Sequence, residues 1–591
     1  MTTTKQYDYL NRLTQISSAP SGAGLLPYTY AYNYNPANQR TRNTFSDGSH
    51  WSYQYDWLGQ VTNGGRYWSD GTLVAGQQYQ YLFDTIGNRT KTWTGGDTNG
   101  ANLRPAVYSI NSLNQITRRD VPGTNDVIGA ALVGTNVTVN GVAADRKAEY
   151  FHGVVGTNNA SQPFWLTSTI IGANNTLSGH FYVAKEPEQF QYDLDGNLTT
   201  DGRWSYTWDG ENRLIGMTVS TSAGPLYQLT FAYDWQGRRM QKLVVSNSVA
   251  LYTNNFLYDG WNLAAELKPN SSLIRSYVWG TDLSGAQQGA GGVGGLVETR
   301  YYGTATTNAF AAFDGNGNVS ALVNAADGTV VANYEYGPFG EVIRNSGPMA
   351  KNNPLRFSTK YQDDESDLLY YGYRYYKPST GRWINRDPAQ EKGGLNIYGF
   401  VRDPEAAVDF LGLDPVKLIF WVWLRGHYPY EGIDKELYQR YIWALNSIAD
   451  VSAVVIYEQI PLGVTPGLQK WACTRIYYID VRASDSSLDP VDGITDTFSG
   501  ANVILGWSKQ SKWVARSLGD LIFTYYPVDT HSSVEMNTLA LAHETLHSVG
   551  ATHVQDPNNI MYAYLMQGWV QSHPHLSGYT LNEIGTLIGA P

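Results

Sequence analysis

One short unit returns through the first 340 residues, and it constrains what they can fold into more than any other feature. An aromatic residue, Asp, two variable positions, Gly or Asn and then an apolar or β-branched residue appear as YDYLNRLTQI (7–16), YDWLGQVTN (55–63), FDTIGNRTK (83–91) and YDLDGNLTT (192–200). The unit returns as WDGENRLIG (208–216), YDWQGRRMQ (233–241) and FDGNGNVSAL (313–322). Each copy reads as a hairpin. The aromatic ends one strand, Asp-x-x-Gly/Asn supplies residues that tolerate positive φ, and an alternating segment starts the next strand. One hairpin cannot bury a face or satisfy its own edges, so the copies must stack. A β-propeller or sandwich is the competing arrangement, and the irregular spacing of the units disfavours it. Aromatics at 13% against charged residues at 16%, with 60 Gly and 44 Tyr, fit aromatic-studded β structure and not helical bundles.

These units resemble YD repeats, the building block of the Rhs family and of the C component of bacterial Tc toxins. The resemblance implies a β-sheet spiral that winds into a shell, usually from more repeats than stand here, so that this sequence would supply part of one. It sharpens over 356–413, where YYGYRYY, GRWINRDP, GGLNIYGF, a DP pair and a final GL follow one another as in the Rhs core. In that family this segment cleaves the chain after the terminal Leu, which implies a scissile bond at Leu413–Asp414. Asp387 and Asp409 stand where the family places its carboxylates, with Arg386 beside the first. Two acids suit the chemistry, one activating water and one supplying a proton, and an adjacent guanidinium keeps one of them ionised. The family has Asp-Pro where this chain has Asp409-Phe410. The other reading of these acids is that they cap turns and pair with Arg386 and Arg402.

Beyond Gly412-Leu413 the repeats stop. Strands are expected at 416–424, 452–460, 473–483, 501–507 and 520–526, and helices at 434–451, 533–550 and 581–589. From within the second helix and past its end runs HETLHSVGATHVQDPNNIMY (543–562). His543 and His547, four apart, share a helix face and can hold one zinc ion, with Glu544 placed to take a proton from its water. Gly550 lets the chain turn so that His553 supplies the third ligand, and Met561 would form a packed floor. This pattern resembles the metzincin peptidases, most of all the matrixin branch. The resemblance implies a zinc endopeptidase that binds a peptide along an exposed strand such as ANVILGW (501–507). Ala563 stands where related branches carry an extra Tyr ligand, and His573 and His575 are read as loop residues. The acidic loop 485–496 has oxygens enough for Ca2+, although a solvated turn is the favoured reading.

The expected fold is therefore multidomain and mainly β: a YD-repeat shell over 1–343, an Rhs core with its self-cleavage segment over 344–413, and an α+β metzincin-like domain over 414–591. The expected function is an Rhs-type toxin with a self-released zinc endopeptidase cargo. Its partners would be a protein or peptide substrate, an immunity protein and a secretion system. A cell-surface YD-repeat adhesion or scaffold protein is the alternative from another class, and a nutritional exoprotease is a third reading. A net charge of -11, with 17 Asp+Glu against 10 Lys+Arg over 414–591, argues against nucleic acid as a partner. The start, MTTTKQYDYLNR, lacks the apolar run of a signal peptide, and LIFWVWL (418–424) is too short to span a bilayer. These features imply a protein made in the bacterial cytoplasm and secreted or delivered without a cleaved N-terminal signal. The single cysteine, Cys473, excludes an internal disulfide.

Overall fold

The computed structural model describes residues 1–412, apart from 11, 23, 174, 391–393, 402 and 406, together with six strands between 418 and 527. The chain divides into two compact units, Met1–Asp414 and Pro415–Pro591. Among the described residues the only helical element is a short 3-10 turn, Phe357–Thr359, and no helix is long and apolar enough to cross a membrane.

The first unit is built on two long antiparallel sheets. Ten strands run from Thr2–Tyr7 to Ile116–Arg119, each paired with its neighbour in sequence, and Glu188–Gln189 ends the sheet as its eleventh strand. Fourteen more run in sequence order from Gln191–Tyr192 to Val342–Ser346. The repeat turns make this regular. Asp56 Oδ1 accepts the N–H groups of Leu58 and Gln60 at 2.9 Å each, and Gly59 sits at φ +80°. Asp84, Asp234 and Asp314 form the same turn, with Gly87, Gly237 and Gly317 at positive φ. Asn212 takes that position at φ +59°, which Asn tolerates better than other side chains with a Cβ.

The aromatic has its own task. Tyr55 donates its hydroxyl to the Arg40 carbonyl at 2.6 Å, Tyr233 to Leu214 at 2.6 Å, Tyr336 to Val319 at 2.7 Å, and Trp208 donates Nε1–H to Leu198 at 2.7 Å. Each acceptor lies five residues past the Asp or Asn that opens the preceding turn, so every repeat is fastened to the one before it. Such bonds favour Tyr and Trp, which carry a donor at the tip of an apolar body.

Residues 121–187, where no repeat unit occurs, form an insertion of two small sheets. Thr124–Ala130, Tyr150–Gly156 and Asp145–Lys147 make one, and Val142–Ala143, Val137–Val139, Phe164–Gly172 and Asn175–Val183 make the other. Val137, Val139, Phe151 and Val155 form their shared core.

The segment 353–412 fastens both long sheets together. Arg382 Nη2 donates to Asn88 Oδ1 at 2.7 Å in the first sheet, while Arg239 and Lys242 of the second sheet reach Asp363 at 2.7 and 2.8 Å. Its interior is aromatic: Phe357, Tyr371, Tyr376, Trp383 and Phe400 pack together, with the Tyr376 and Phe400 ring centres 4.1 Å apart.

In the second unit, Leu418–Arg425, Ala453–Ile460, Arg475–Arg482, Asn502–Ser508, Ala515–Leu518 and Leu521–Pro527 form one sheet. Its pairs are parallel except for the hairpin of the last two strands. One expectation is corrected here. Asn502–Ser508 pairs with Arg475–Arg482 on one side and Leu521–Pro527 on the other, so the strand within ANVILGW has no open edge for a peptide. The expected helices, Cys473, the acidic loop 485–496, the zinc motif with His543, Glu544, His547, His553 and Met561, and His573 and His575 lie outside the described residues.

Candidate self-cleavage site

Three pieces of the 353–412 segment build the site. The YYGYRYY block forms a hairpin in which Tyr370 pairs with Tyr375, and Gly372, at φ +113°, makes the turn. That turn points Arg374 inward, where it is 1% exposed and lies 4.2 Å from the Trp383 ring centre. The GRWINRDP stretch supplies Trp383 and Asp387. Asp387 is fixed through its N–H on the Ile397 carbonyl at 2.8 Å, and its Oδ1 accepts the Ala389 N–H at 2.7 Å. The last piece is 409–412, in which Asp409 Oδ1 accepts the Gly412 N–H at 2.7 Å.

Arg374 joins the two acids. Its Nη2 lies 2.8 Å from Asp387 Oδ2 and 3.3 Å from Asp409 Oδ2, with both carboxylates buried. Its Nε donates to the Gly412 carbonyl, and the Tyr373 N–H donates to the Leu411 carbonyl at 3.0 Å. A Cβ on Gly412 would stand only 3.0 Å from Arg374 Cβ, so this close approach needs glycine. The chain leading to Leu413–Asp414 is thus pinned one residue short of that bond, which itself lies just outside the described residues.

The two acids are not equivalent. Burial raises the Asp409 carboxyl to about 6, against the pull of Arg374 and the Gly412 N–H. Asp387 borders a cavity of about 730 Å³, lined also by Arg386, Asn385, Tyr373, Arg213 and Trp235. Trp235 is 87% exposed, so this cavity reaches solvent and gives water a route to Asp387.

Sequence reasoning placed the guanidinium role on Arg386, the neighbour of Asp387. The arginine that bridges both carboxylates is Arg374, thirteen residues upstream of Asp387, while Arg386 lies against Gly196. The YYGYRYY block contained the signal, since an arginine among so many buried aromatics needs a partner. Phe410 gives its carbonyl to Lys360 Nζ at 2.5 Å.

Fold and site together describe two long sheets of repeated hairpins, fastened by a core segment that carries a pair of buried carboxylates. Residues 182–400 match the Teneurin YD-shell family. The chain is 28% identical over 269 residues to the tRNA3(Ser)-specific nuclease WapA of Bacillus spizizenii, covering 44% of this chain and 10% of that protein. It is 30% identical to Double-stranded DNA deaminase toxin A of Burkholderia cenocepacia, over 40% of this chain and 18% of the relative. It is 24% identical to Probable deoxyribonuclease RhsB of Dickeya dadantii, over 70% of this chain and 26% of the relative. This chain therefore spans between a tenth and about a quarter of the length of these relatives.

These similarities correct two expectations. The zinc metalloendopeptidase and its protein or peptide substrate find no counterpart among these relatives, whose names give nucleases and a DNA deaminase. The exclusion of nucleic acid as a partner, drawn from net charge, is overturned by the same finding. Net charge sums the whole surface, whereas a nucleic-acid enzyme needs positive potential only where its substrate lies.

Proposed function

We propose that this chain is the carrier and self-processing part of a polymorphic toxin, and that its core segment hydrolyses Leu413–Asp414 to free the C-terminal unit. The observation that supports this reading best is the meeting of Asp387 and Asp409 on one nitrogen of Arg374, beside a strand pinned at Gly412.

In this reading Asp387, which lines the cavity, takes a proton from water as the water oxygen bonds to the Leu413 carbonyl carbon. Asp409, which burial keeps partly protonated near neutrality, gives its proton to the Asp414 nitrogen as the C–N bond breaks. The products are a Leu413 carboxyl group and an Asp414 amine. Arg374 keeps the acids close and holds the Gly412 carbonyl, so the catalytic acids and the bond they act on are parts of one chain held in place. Asp387→Asn and Asp409→Asn, each purified as full chain and weighed by intact mass spectrometry, test the reading. Either variant cut after Leu413 at the wild-type rate would remove its basis.

The relatives' names support a cargo that acts on nucleic acid. Incubating the purified chain with tRNA and with double-stranded DNA, and following strand breaks and base changes, tests this. The spacing of His543, His547 and His553 supports one bound zinc ion with Glu544 beside it. Zinc-activated water serves base deamination and phosphodiester hydrolysis as well as other hydrolyses, so the ligand set is compatible with such a cargo. One zinc per chain by elemental analysis, lost in His547→Ala, is the expected result.

A further inference from the structure

The chain leading into Gly412 is held there by Arg374 and Asp409. A second pair of features grips it at Phe410. Lys360 is 6% exposed, and its Nζ donates to the Phe410 carbonyl at 2.5 Å and to the Gly291 carbonyl at 2.7 Å, with the Tyr371 ring centre 5.3 Å away. Gly291 belongs to a glycine-rich turn, 289–295, inside the long connection between Leu273–Trp279 and Leu296–Tyr302. Asp282 Oδ2 braces this turn by accepting the N–H groups of Ala290 at 2.7 Å and Gly292 at 3.1 Å. Gly291 has φ +57°, and a Cβ there would collide with the Phe410 carbonyl. Burying an ammonium is costly, and an apolar side chain would fill the same space at lower cost. The contacts of Lys360 with a backbone carbonyl three residues before the cleaved bond suggest what the charge is for.

We propose that Lys360 and the 289–295 turn are positioning elements for self-cleavage: they fix the Phe410 carbonyl, and the lysine charge acts on Asp409 in addition to that of Arg374. The inference rests on the carboxylate-pair reading above. The charged groups facing Lys360 are Asp409 and Asp282, and those facing Asp409 are Arg374, Asp387 and Lys360. Burial brings the Lys360 ammonium down to about 8, so it is still mostly charged at pH 7. That charge favours the ionised form of Asp409, against burial. Removing it lets the Asp409 carboxyl rise further, and the pH at which cleavage fades should rise with it.

The test compares Lys360→Met, Lys360→Arg and Gly291→Ala in the full chain. The fraction cut after Leu413 is followed by intact mass from pH 5 to 8, and thermal unfolding checks the fold. Lys360→Met and Gly291→Ala should cleave roughly 10- to 100-fold more slowly than wild type, the scale expected when a reacting bond is misplaced. Lys360→Arg should recover most of the rate. The pH at which cleavage fades should lie about one unit higher in Lys360→Met than in Lys360→Arg. Wild-type rates in folded Lys360→Met overturn the proposal, as do equal slowing and an unchanged pH profile in the two lysine variants. Asp409→Asn run alongside separates the two ideas. If it still cleaves, the carboxylate reading has failed; if it is silent and Lys360→Met is unaffected, only the positioning role has.

Discussion

Asp409 receives the backbone N–H of Gly412 on Oδ1 at 2.7 Å, a bond that closes a tight turn immediately before the segment proposed to be cut. The same glycine has φ +76° and gives its carbonyl to Arg374. The acid proposed to act and the chain proposed to be cut are thus parts of one turn.

Gly412→Ala should therefore impair cleavage without touching either acid, because a methyl group would press on Arg374 at a backbone conformation that disfavours a side chain. Arg374→Lys should impair it too, since a single ammonium cannot reproduce a guanidinium stacked on Trp383 and shared by two carboxylates. A slowing of roughly 10- to 100-fold, read by intact mass, is expected for each.

Cleavage should fade as pH rises. The reaction needs Asp409 protonated, and burial sets that carboxyl at about 6, so the protonated fraction falls about tenfold per pH unit well above that value. A slowed variant isolated whole, incubated at pH 5.5 and at pH 8 and weighed over time, should be cut faster at the lower pH. A rate that rises with pH would contradict the assignment of Asp409 as the acid.

Much of this was legible in the sequence. The spacing Asp-x-x-Gly/Asn gave the turns, because each residue type there answers a local need that the fold does not override. The strands after 418 were legible from apolar runs. Asp387 and Asp409 were also picked out, whereas Arg374 was not: Arg386 is adjacent to Asp387 along the chain, but the bridging arginine reaches it across a hairpin. The 121–187 insertion carried no repeat to announce it. That ANVILGW lies inside its sheet depends on strand order, which periodicity does not encode.

His152 should hold the three strands of the insertion's first small sheet together in a pH-dependent way. Its ring is buried, which opposes the charged form, but Nε2 contacts Asp126 at 2.9 Å and Nδ1 contacts Asp145 at 3.4 Å, and the net effect raises its pKa above 6.5. A raised folded-state value stabilises the fold fully below the unfolded value and is lost as pH rises through the folded one. His152→Gln should accordingly lower Tm more at pH 5.5 than at pH 8.5. An equal loss at both would show that the ring serves only as packing.

The fastening of one repeat to the next should be measurable. Tyr55→Phe keeps the ring and deletes only the donor to the Arg40 carbonyl, at an expected cost of about 1 kcal/mol read from the urea midpoint. Tyr55→Phe and Tyr233→Phe lie in different sheets with separate acceptors, so their costs should add.

The central claim is that two carboxylates bridged by Arg374 cut the chain after Leu413, and intact mass spectrometry of the purified full chain tests it most directly. Wild type should give two masses that divide between Leu413 and Asp414, while Asp387→Asn and Asp409→Asn, folded as judged by thermal unfolding, should give one. A whole wild-type chain, or a variant cut at the same bond at the wild-type rate, would contradict it.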